Sequence, residues 1–258
     1  VRLFDRTKRS VALTATGQAL LPEVLELLAR AQALPEHARA AASGELGRLR
    51  LAFVSTVGFA LLPQWLRGFR ALYPQVRVEL TEATGDVQLQ AFAGDEIDAG
   101  FMLHATGFAP AGLARHRIAQ EPLVLALPEQ HPLAAAQVLT LDAVLAEPLV
   151  IFPRRIVPSL FDAIFALYHA AGHSPQVAQE AIQMQTIVNL VSAGLGVAWV
   201  PESVRQFQRP GVVYRALGRQ GAGGKGLAVP GCETSLVWRE GSLSPSLERF
   251  IGFVRETP

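Results

Sequence analysis

The sequence predicts an α/β protein: two units of strands joined by helical crossovers, preceded by one long helix. Three observations predict it. Apolar residues between positions 15 and 42 recur at 4-3-4-3-4 spacing, the signature of one helix face. From Leu49 onward, short β-branched runs alternate with amphipathic segments, an order that implies parallel strands with right-handed crossovers. Two such series follow one another, each of about 100 residues, an ordinary domain size.

The elements follow in order. Residues 1–13 are short and basic, with Arg2, Arg6, Lys8 and Arg9 against Asp5 alone. Leu3-Phe4 and Val11-Ala12-Leu13 flank the polar "DRTKRS", which reads as a small hairpin. Thr14 is placed to cap the next helix. Over residues 15–42, Leu20, Val24, Leu27, Ala31, Leu34 and Ala38 form an a/d stripe, the pattern of a helix that packs along a partner helix. Pro22 and Pro35 lack amide donors, so kinks or a break are expected there. "ASGELG" (42–47) reads as a flexible link.

The first α/β unit reads as strand 48–54, helix 58–74, strand 76–83, helix 86–95 closed by Gly94, and strand 97–103. The second begins with "EPLVLALPEQHPLA" (121–134), a strand that ends at Pro128. Further strands are expected at 148–152, 177–181 and 197–201, with helices at 159–172 and 185–194. Late strands fall at 212–217 and 234–240, and a last helix at 247–256 carries Leu247, Phe250, Ile251 and Val254 on one face. "GRQGAGGKGLAVPGCE" (218–233) has six glycines and no periodicity and reads as a long loop. It is not a phosphate-binding P-loop, because Lys225 is followed by Gly226 and not by Ser or Thr.

Composition excludes several classes. Half the residues are hydrophobic and 17% charged, enough apolar surface to rule out a disordered chain. No apolar run is long enough to span a membrane. The apolar stretch after the first basic residues contains Gln18 and Glu23, and its hydrophobics repeat at helical spacing, so it does not read as a signal peptide. Cys232 stands alone, which forbids an internal disulfide and suits a reducing cytoplasm. Net charge is +1, no global signal for nucleic acid. The charge is local, however: residues 1–9 hold four bases and one acid, leaving 19 bases against 21 acids elsewhere.

Nothing in the sequence assembles a catalytic centre. The six histidines are scattered, with no H-E-x-x-H spacing, and G-x-S-x-G is absent. No enzyme, metal or cofactor is expected. Ligand binding is better supported, because open α/β sheets bind ligands at the carboxyl ends of their strands and following helix N-termini favour anions. The residues at such ends are Ser55 and Thr56, Thr84, Leu103 and His104, then Phe152, Pro153 and Arg154, and finally Gln185 and Thr186. If the two units face one another, all five groups converge on one cleft. Ser55, Thr56 and Thr84 equally suit helix capping, and Arg154 equally suits a surface charge.

Three stretches together resemble the LysR-type transcriptional regulators. "LFDRTKRSVALTATGQALL" (3–21) is similar to the family's wing and the start of its linker helix. "GRLRLAFVSTVGFALLPQWLRGFRALYPQVRVEL" (47–80), followed by "GDEIDAGF" (94–101), resembles the opening of its effector-binding domain. "EPLVLALPEQHPLA" and "MQTIVNLVSAGLGVAWVPESV" (184–204) complete the match, in wording nearest the branch that senses aromatic-degradation metabolites.

The resemblance implies two Rossmann-like lobes of the type 2 periplasmic-binding-protein kind. Their expected limits are 48–120 plus 240–258 and 121–239, after a wing remnant (1–14) and a linker or dimerisation helix (15–46). It implies a small-molecule effector, aromatic or carboxylate, between the lobes, and a homo-oligomer, dimer or tetramer, that binds DNA through an intact N-terminal domain. Arg6, Lys8 and Arg9 of the wing would contact phosphates, without reading bases. The helix-turn-helix itself is not in this sequence. The family often carries an arginine where Leu103 stands here, followed by His104. A carboxylate would therefore rely on Arg154 or helix N-termini, or the effector is less anionic. A transporter's solute-binding component shares the two-lobed architecture and is the alternative reading.

Overall fold

The computed structural model describes residues 1–7, 10–58, 61–217, 228–241 and 243–257. Lys8 and Arg9, and residues 218–227 of the glycine-rich stretch, lie outside the described residues. The chain opens with the expected hairpin, β1 (Phe4–Arg6) and β2 (Val11–Leu13), antiparallel with Phe4 opposite Leu13. Arg6 ends β1 and is exposed.

Helix α1 spans Ala15–Ser43. Thr14 Oγ1 accepts from Gly17 N–H at 3.0 Å and donates to Arg2 O at 2.8 Å, so the N-cap also ties the helix to the hairpin. Gly44 ends it in the left-handed region (φ 77°), with Pro245 carbonyl atoms where a Cβ would stand. Of the kinks or break expected at Pro22 and Pro35, no break occurs, since one helix runs through both. The carbonyls they orphan belong to Gln18 and Ala31, both on exposed residues, so water can take the lost hydrogen bonds.

The remainder is built on two sheets that share strands. In the first, β3 (Leu46–Phe53) lies between β4 (Gln75–Glu82) and β5 (Ala99–Ala105), all parallel. β11 (Gly231–Trp238) runs antiparallel to β5 on one side and to β6 (Ala114–Pro128) on the other. The second half of β6 then pairs antiparallel with β9 (Ala198–Pro201) and β10 (Val212–Arg215). β7 (Leu149–Ile151) bridges to Val197 beside β9 and pairs parallel with β8 (Val177–Glu180).

Two differences from the sequence reading follow from β6 and β11. β6 starts at Ala114, seven residues before the apolar run at 121. Its first half alternates half-buried Ala114, His116 and Ile118 with exposed Arg115 and Arg117, so one face is polar and the run is not continuously apolar. β11 begins at Gly231, so residues 231–233 are strand, not loop, and residues 231–238 join the first sheet.

Helices flank both sheets. α2 (Ser55–Gly58) and α3 (Leu61–Leu72) stand where one helix over 58–74 was expected. α4 (Gly85–Ala93) is followed by Gly94 at φ −87°, and the left-handed residue is Asp95 (φ 57°), not the glycine. Asp tolerates that region better than most residues, and here its backbone carbonyl also accepts from Arg50. α5 (Pro132–Ala135) and α6 (Leu141–Leu145) lead to α7 (Pro158–Ala170), α8 (Met184–Ser192), a 3-10 turn at Glu202–Gln206, and α9 (Pro245–Glu256).

The first core forms under α3 and α9. Trp65 stacks on Phe101 at 5.3 Å, and Phe69 meets Phe250 edge-on at 5.1 Å. The second core gathers Val124, Leu125, Leu149, Ile164, Val188 and Val200, each at most 1% exposed. Truncating such fully buried side chains costs about 2–5 kcal/mol each. The cores therefore fix the strand ends that the cleft is made from.

Candidate functional site

The carboxyl ends of β3, β4, β5 and β7 face a cleft between the two sheets. It encloses about 430 Å³ of space between atoms, part of it open to solvent. Val54, Ser55 and Thr56 leave β3 into it, Ala83 and Thr84 leave β4, Leu103 comes from β5 and Phe152 from the end of β7. Ladder-like bonds hold these exits in register: Val54 N to Phe101 O at 3.2 Å, Ala83 N to Phe53 O at 3.0 Å, and Ala181 N to Ile151 O at 3.0 Å. Buried Gln88 adds a clamp, its Nε2 donating to Ala83 O at 2.9 Å and Phe101 O at 3.1 Å.

Five of the ten cleft residues expected from sequence line this cavity: Ser55, Thr56, Thr84, Leu103 and Phe152. The other five do not. His104 neighbours Leu103 on β5, so its side chain leaves the opposite face. There it is 2% exposed, with Nε2 3.0 Å from Ser235 Oγ and Nδ1 2.9 Å from Ala105 O. It borders a second, adjoining cavity instead. Arg154 is turned outward and grips Asp162 through two bonds of 2.7 Å. That guanidinium, by hydrogen bond first, holds the Asp162 carboxyl below its usual range. Pro153 is buried outside the cavity lining, where its carbonyl accepts from Ile156 N at 3.0 Å. Gln185 and Thr186 fall one position too late, because α8 begins at Met184 with Gln183 as its N-cap; Thr186 is exposed.

The sequence reading missed the far wall. Ile156 and Val157 precede α7, Ile182 and Gln183 precede α8, and Met184 and Ile187 lie on α8. These are loop or helix-start residues, apart from Ile187, and no strand-end rule finds them. The signal that was available is the apolar pair "IV" before Pro158 and the helix start at "MQT".

The polar groups are few and uncharged. Thr84 Oγ1 gives its proton to Asp86 Oδ1 at 2.5 Å, which leaves its oxygen an acceptor. Thr56 is 8% exposed and its Oγ1 has no hydrogen-bond partner, an arrangement that costs free energy unless something else binds there. Gln183 caps α8 without a side-chain bond to it. Among the described residues that line the cavity, none is charged. Behind the cleft, burial, together with the charges of Glu121 and Glu233, pushes the Cys232 thiol up and keeps it neutral, so it is not poised for redox chemistry. Among the described residues, no three His, Cys, Asp or Glu side chains gather as a metal site, and no helix is long and apolar enough to cross a membrane.

Comparison with known proteins agrees with this architecture. A family model described as the LysR substrate binding domain matches residues 42–258. The HTH-type transcriptional regulator IlvR of Caulobacter vibrioides is 42% identical over 255 residues, covering 98% of this chain and 82% of that protein. Full-length CbnR, a LysR family regulator solved with its target DNA, superposes with a TM-score of 0.75 at 29% identity, covering 99% of this chain and 83% of that one. The BenM effector binding domain solved with benzoate superposes at 0.64 over 81% of this chain and 91% of that one, and at 23% identity it shows the fold alone. These relatives are regulators, neither enzymes nor transporter components. The chain belongs to the LysR family of transcriptional regulators, and residues 42–258 are its substrate-binding domain.

Proposed function

We propose that the cleft is the sensor of this regulator, and that a small effector, an aromatic or carboxylic acid, binds there and alters how paired copies present DNA-binding heads. The observation that carries the reading is the cleft itself, built at strand ends from both sheets around an unpaired, buried Thr56 hydroxyl. A ligand touching both sheets favours one relative arrangement over others only through such differential contacts.

Helix α1 supplies the coupling in this reading. Leu20, Val24, Leu27 and Leu34 are between 38% and 65% exposed, an apolar stripe that a second copy's helix would cover. The hairpin is the wing remnant, where Arg6, Lys8 and Arg9 would lie on phosphates of DNA held by the intact N-terminal domain. We place the linker helix at 15–46, the first lobe at 48–120 plus 231–258 and the second at 121–230, the late boundary moved to take in β11. The protein works as a homodimer or tetramer in the cytoplasm.

A thermal-shift screen of small aromatic and carboxylic acids tests the sensor. At 100 times its dissociation constant a ligand of the folded state stabilises it by about 2.7 kcal/mol. Thr84→Trp, which fills a half-buried position in the cleft, removes the response. A response undiminished in that variant places the ligand elsewhere and refutes the reading.

A further inference from the structure

We infer that Arg249 is the positioning residue that fixes the angle of α1 on the sensor: from α9 it supplies the cation that the C-terminal end of α1 lacks, and it locks the junction at residues 43–47. Over 42–47 the sequence alone suggests a flexible link. The bearing of this joint on signalling rests on the proposed function, in which paired α1 helices respond to an effector in the cleft. The joint itself does not depend on that reading.

The long helix ends with a need it does not meet itself. α1 has 29 residues and no basic residue in its last turn, where orphan carbonyls and the negative end of the helix dipole favour a cation. Arg249, 206 residues further along the chain, provides one: its Nε donates to Ser43 O at 2.8 Å. Its Nη2 lies 3.7 Å from Glu45 Oε1, just past the helix end. The ring of Tyr73 steadies the guanidinium, whose Cζ is 5.8 Å from the ring centroid. An exposed ion pair with Glu45 alone would fix little. The bond to a main-chain carbonyl is what gives the contact a direction.

Arg249 is itself held against the first core. Its neighbour Phe250 is fully buried and meets Phe69 of α3 edge-on at 5.1 Å. Tyr73, just after α3, packs on the same Phe69 ring at 4.9 Å. Around the arginine, the junction has no slack. Only Gly44 and Glu45 separate α1 from β3, which starts at Leu46. A Cβ at Gly44 would fall on the carbonyl group of Pro245, the first residue of α9, and one at Gly47 would stand 2.6 Å from Oγ of buried Ser246. The end of α1 therefore rests on the first turn of α9, where the two helix dipoles present opposite ends. Two residues gripped in this way leave no linker to bend, so a rotation of the first lobe carries α1 with it.

Two spin labels within one full chain read the joint: Glu36→Cys on α1 and Gln90→Cys on α4, both exposed, with Cys232 buried and unlabelled. Labelled chains are mixed with a large excess of unlabelled ones, so pulsed electron resonance sees distances within one copy. With Arg249 in place the distribution is single and narrow. Arg249→Ala broadens it. Arg249→Gln, a donor without charge, broadens it too, while Arg249→Lys, which keeps the charge, leaves it narrow. Arg249 lies outside the cleft lining, so Arg249→Ala keeps the thermal shift given by an acid from the screen. It abolishes the change which that acid produces between the α1 helices of two copies, a readout that a merely stabilising contact would not move. A broad distribution in the unaltered protein overturns the inference, as does a narrow one in Arg249→Ala. A narrow one in Arg249→Gln overturns the role of the charge, and the Gln and Lys variants decide the matter if Arg249→Ala does not fold. If the joint behaves as stated but no acid moves the α1 helices of two copies, the proposed coupling fails while the joint stands.

Discussion

If α1 pairs subunits, replacing Leu27 by alanine weakens self-association by roughly 30- to 700-fold without destabilising the subunit. Leu27 is 65% exposed on α1. Fully burying a leucine side chain stabilises by about 1.5–3 kcal/mol, so covering the exposed two-thirds contributes about 1–2 kcal/mol per copy. In a two-fold pairing of α1 the loss counts twice, about 2–4 kcal/mol, and each 1.4 kcal/mol is tenfold in a dissociation constant. Alanine is at least as good a helix former as leucine, so the helix itself survives. The pair Arg30–Glu26, at 2.5 Å on the same helix, provides the control. Both groups are exposed, so Arg30→Ala changes association by less than about 1 kcal/mol. Sedimentation equilibrium over a wide concentration range measures the association, and circular dichroism follows the helix. An association constant unchanged in Leu27→Ala refutes the claim that this stripe pairs subunits. A Leu27→Ala chain that loses its fold refutes the expectation that the subunit is left intact.

Three further substitutions probe the parts beneath that claim. Gly100→Ala puts a Cβ 2.2 Å from Gln88 Oε1; Gln88 cannot retreat without breaking its bonds to Ala83 and Phe101, so stability falls by about 1–3 kcal/mol in denaturant titration and ligand affinity falls with it. Thr14→Ala removes the cap on Gly17 and the tie to Arg2, costing about 0.5–2 kcal/mol, read as increased hydrogen exchange in the first turn of α1. His116 is held below its ordinary value of 6.5, first by burial and then by Arg255. On acidification the unfolded chain therefore takes the proton first, so stability present above pH 6.5 is lost as pH falls through the histidine's lower folded value. His116→Gln flattens that part of the stability-against-pH curve, and an unchanged slope contradicts the assignment.

Much of this was legible in the sequence, and the reasons differ by region. The α1 stripe was legible because a long exposed helix keeps its period free of tertiary compromise. The strands at 149–151 and 198–201 were legible because both faces are buried and the residues are continuously apolar. The first half of β6 was not, because Arg115 and Arg117 reach solvent between inward residues. In the cleft, Ser55, Thr56 and Thr84 were found by a rule of topology, that ligands meet strand ends. His104, named by the same rule, falls outside this cavity because it lies one position along the strand from Leu103, which reverses the face a side chain occupies. Arg154 was drawn away by Asp162, a partner eight residues on that only the turn into α7 brings close. The wall made by Ile156, Val157 and Ile182 depends on how loops from the second sheet lie across the first, and no local pattern encodes that.

The most direct test of the central claim, that filling the cleft rearranges paired subunits, is a distance measurement between the two copies of α1. Glu36 is exposed and lies off the apolar stripe, so Glu36→Cys accepts a spin label without entering the pairing face. Cys232 is buried and its thiol is held neutral, so it stays unlabelled. Pulsed electron resonance then reads the label-to-label distance with and without a saturating acid identified in the thermal-shift screen. The account predicts a shifted distance distribution that Thr84→Trp abolishes. An identical distribution with the ligand demonstrably bound in the cleft contradicts it.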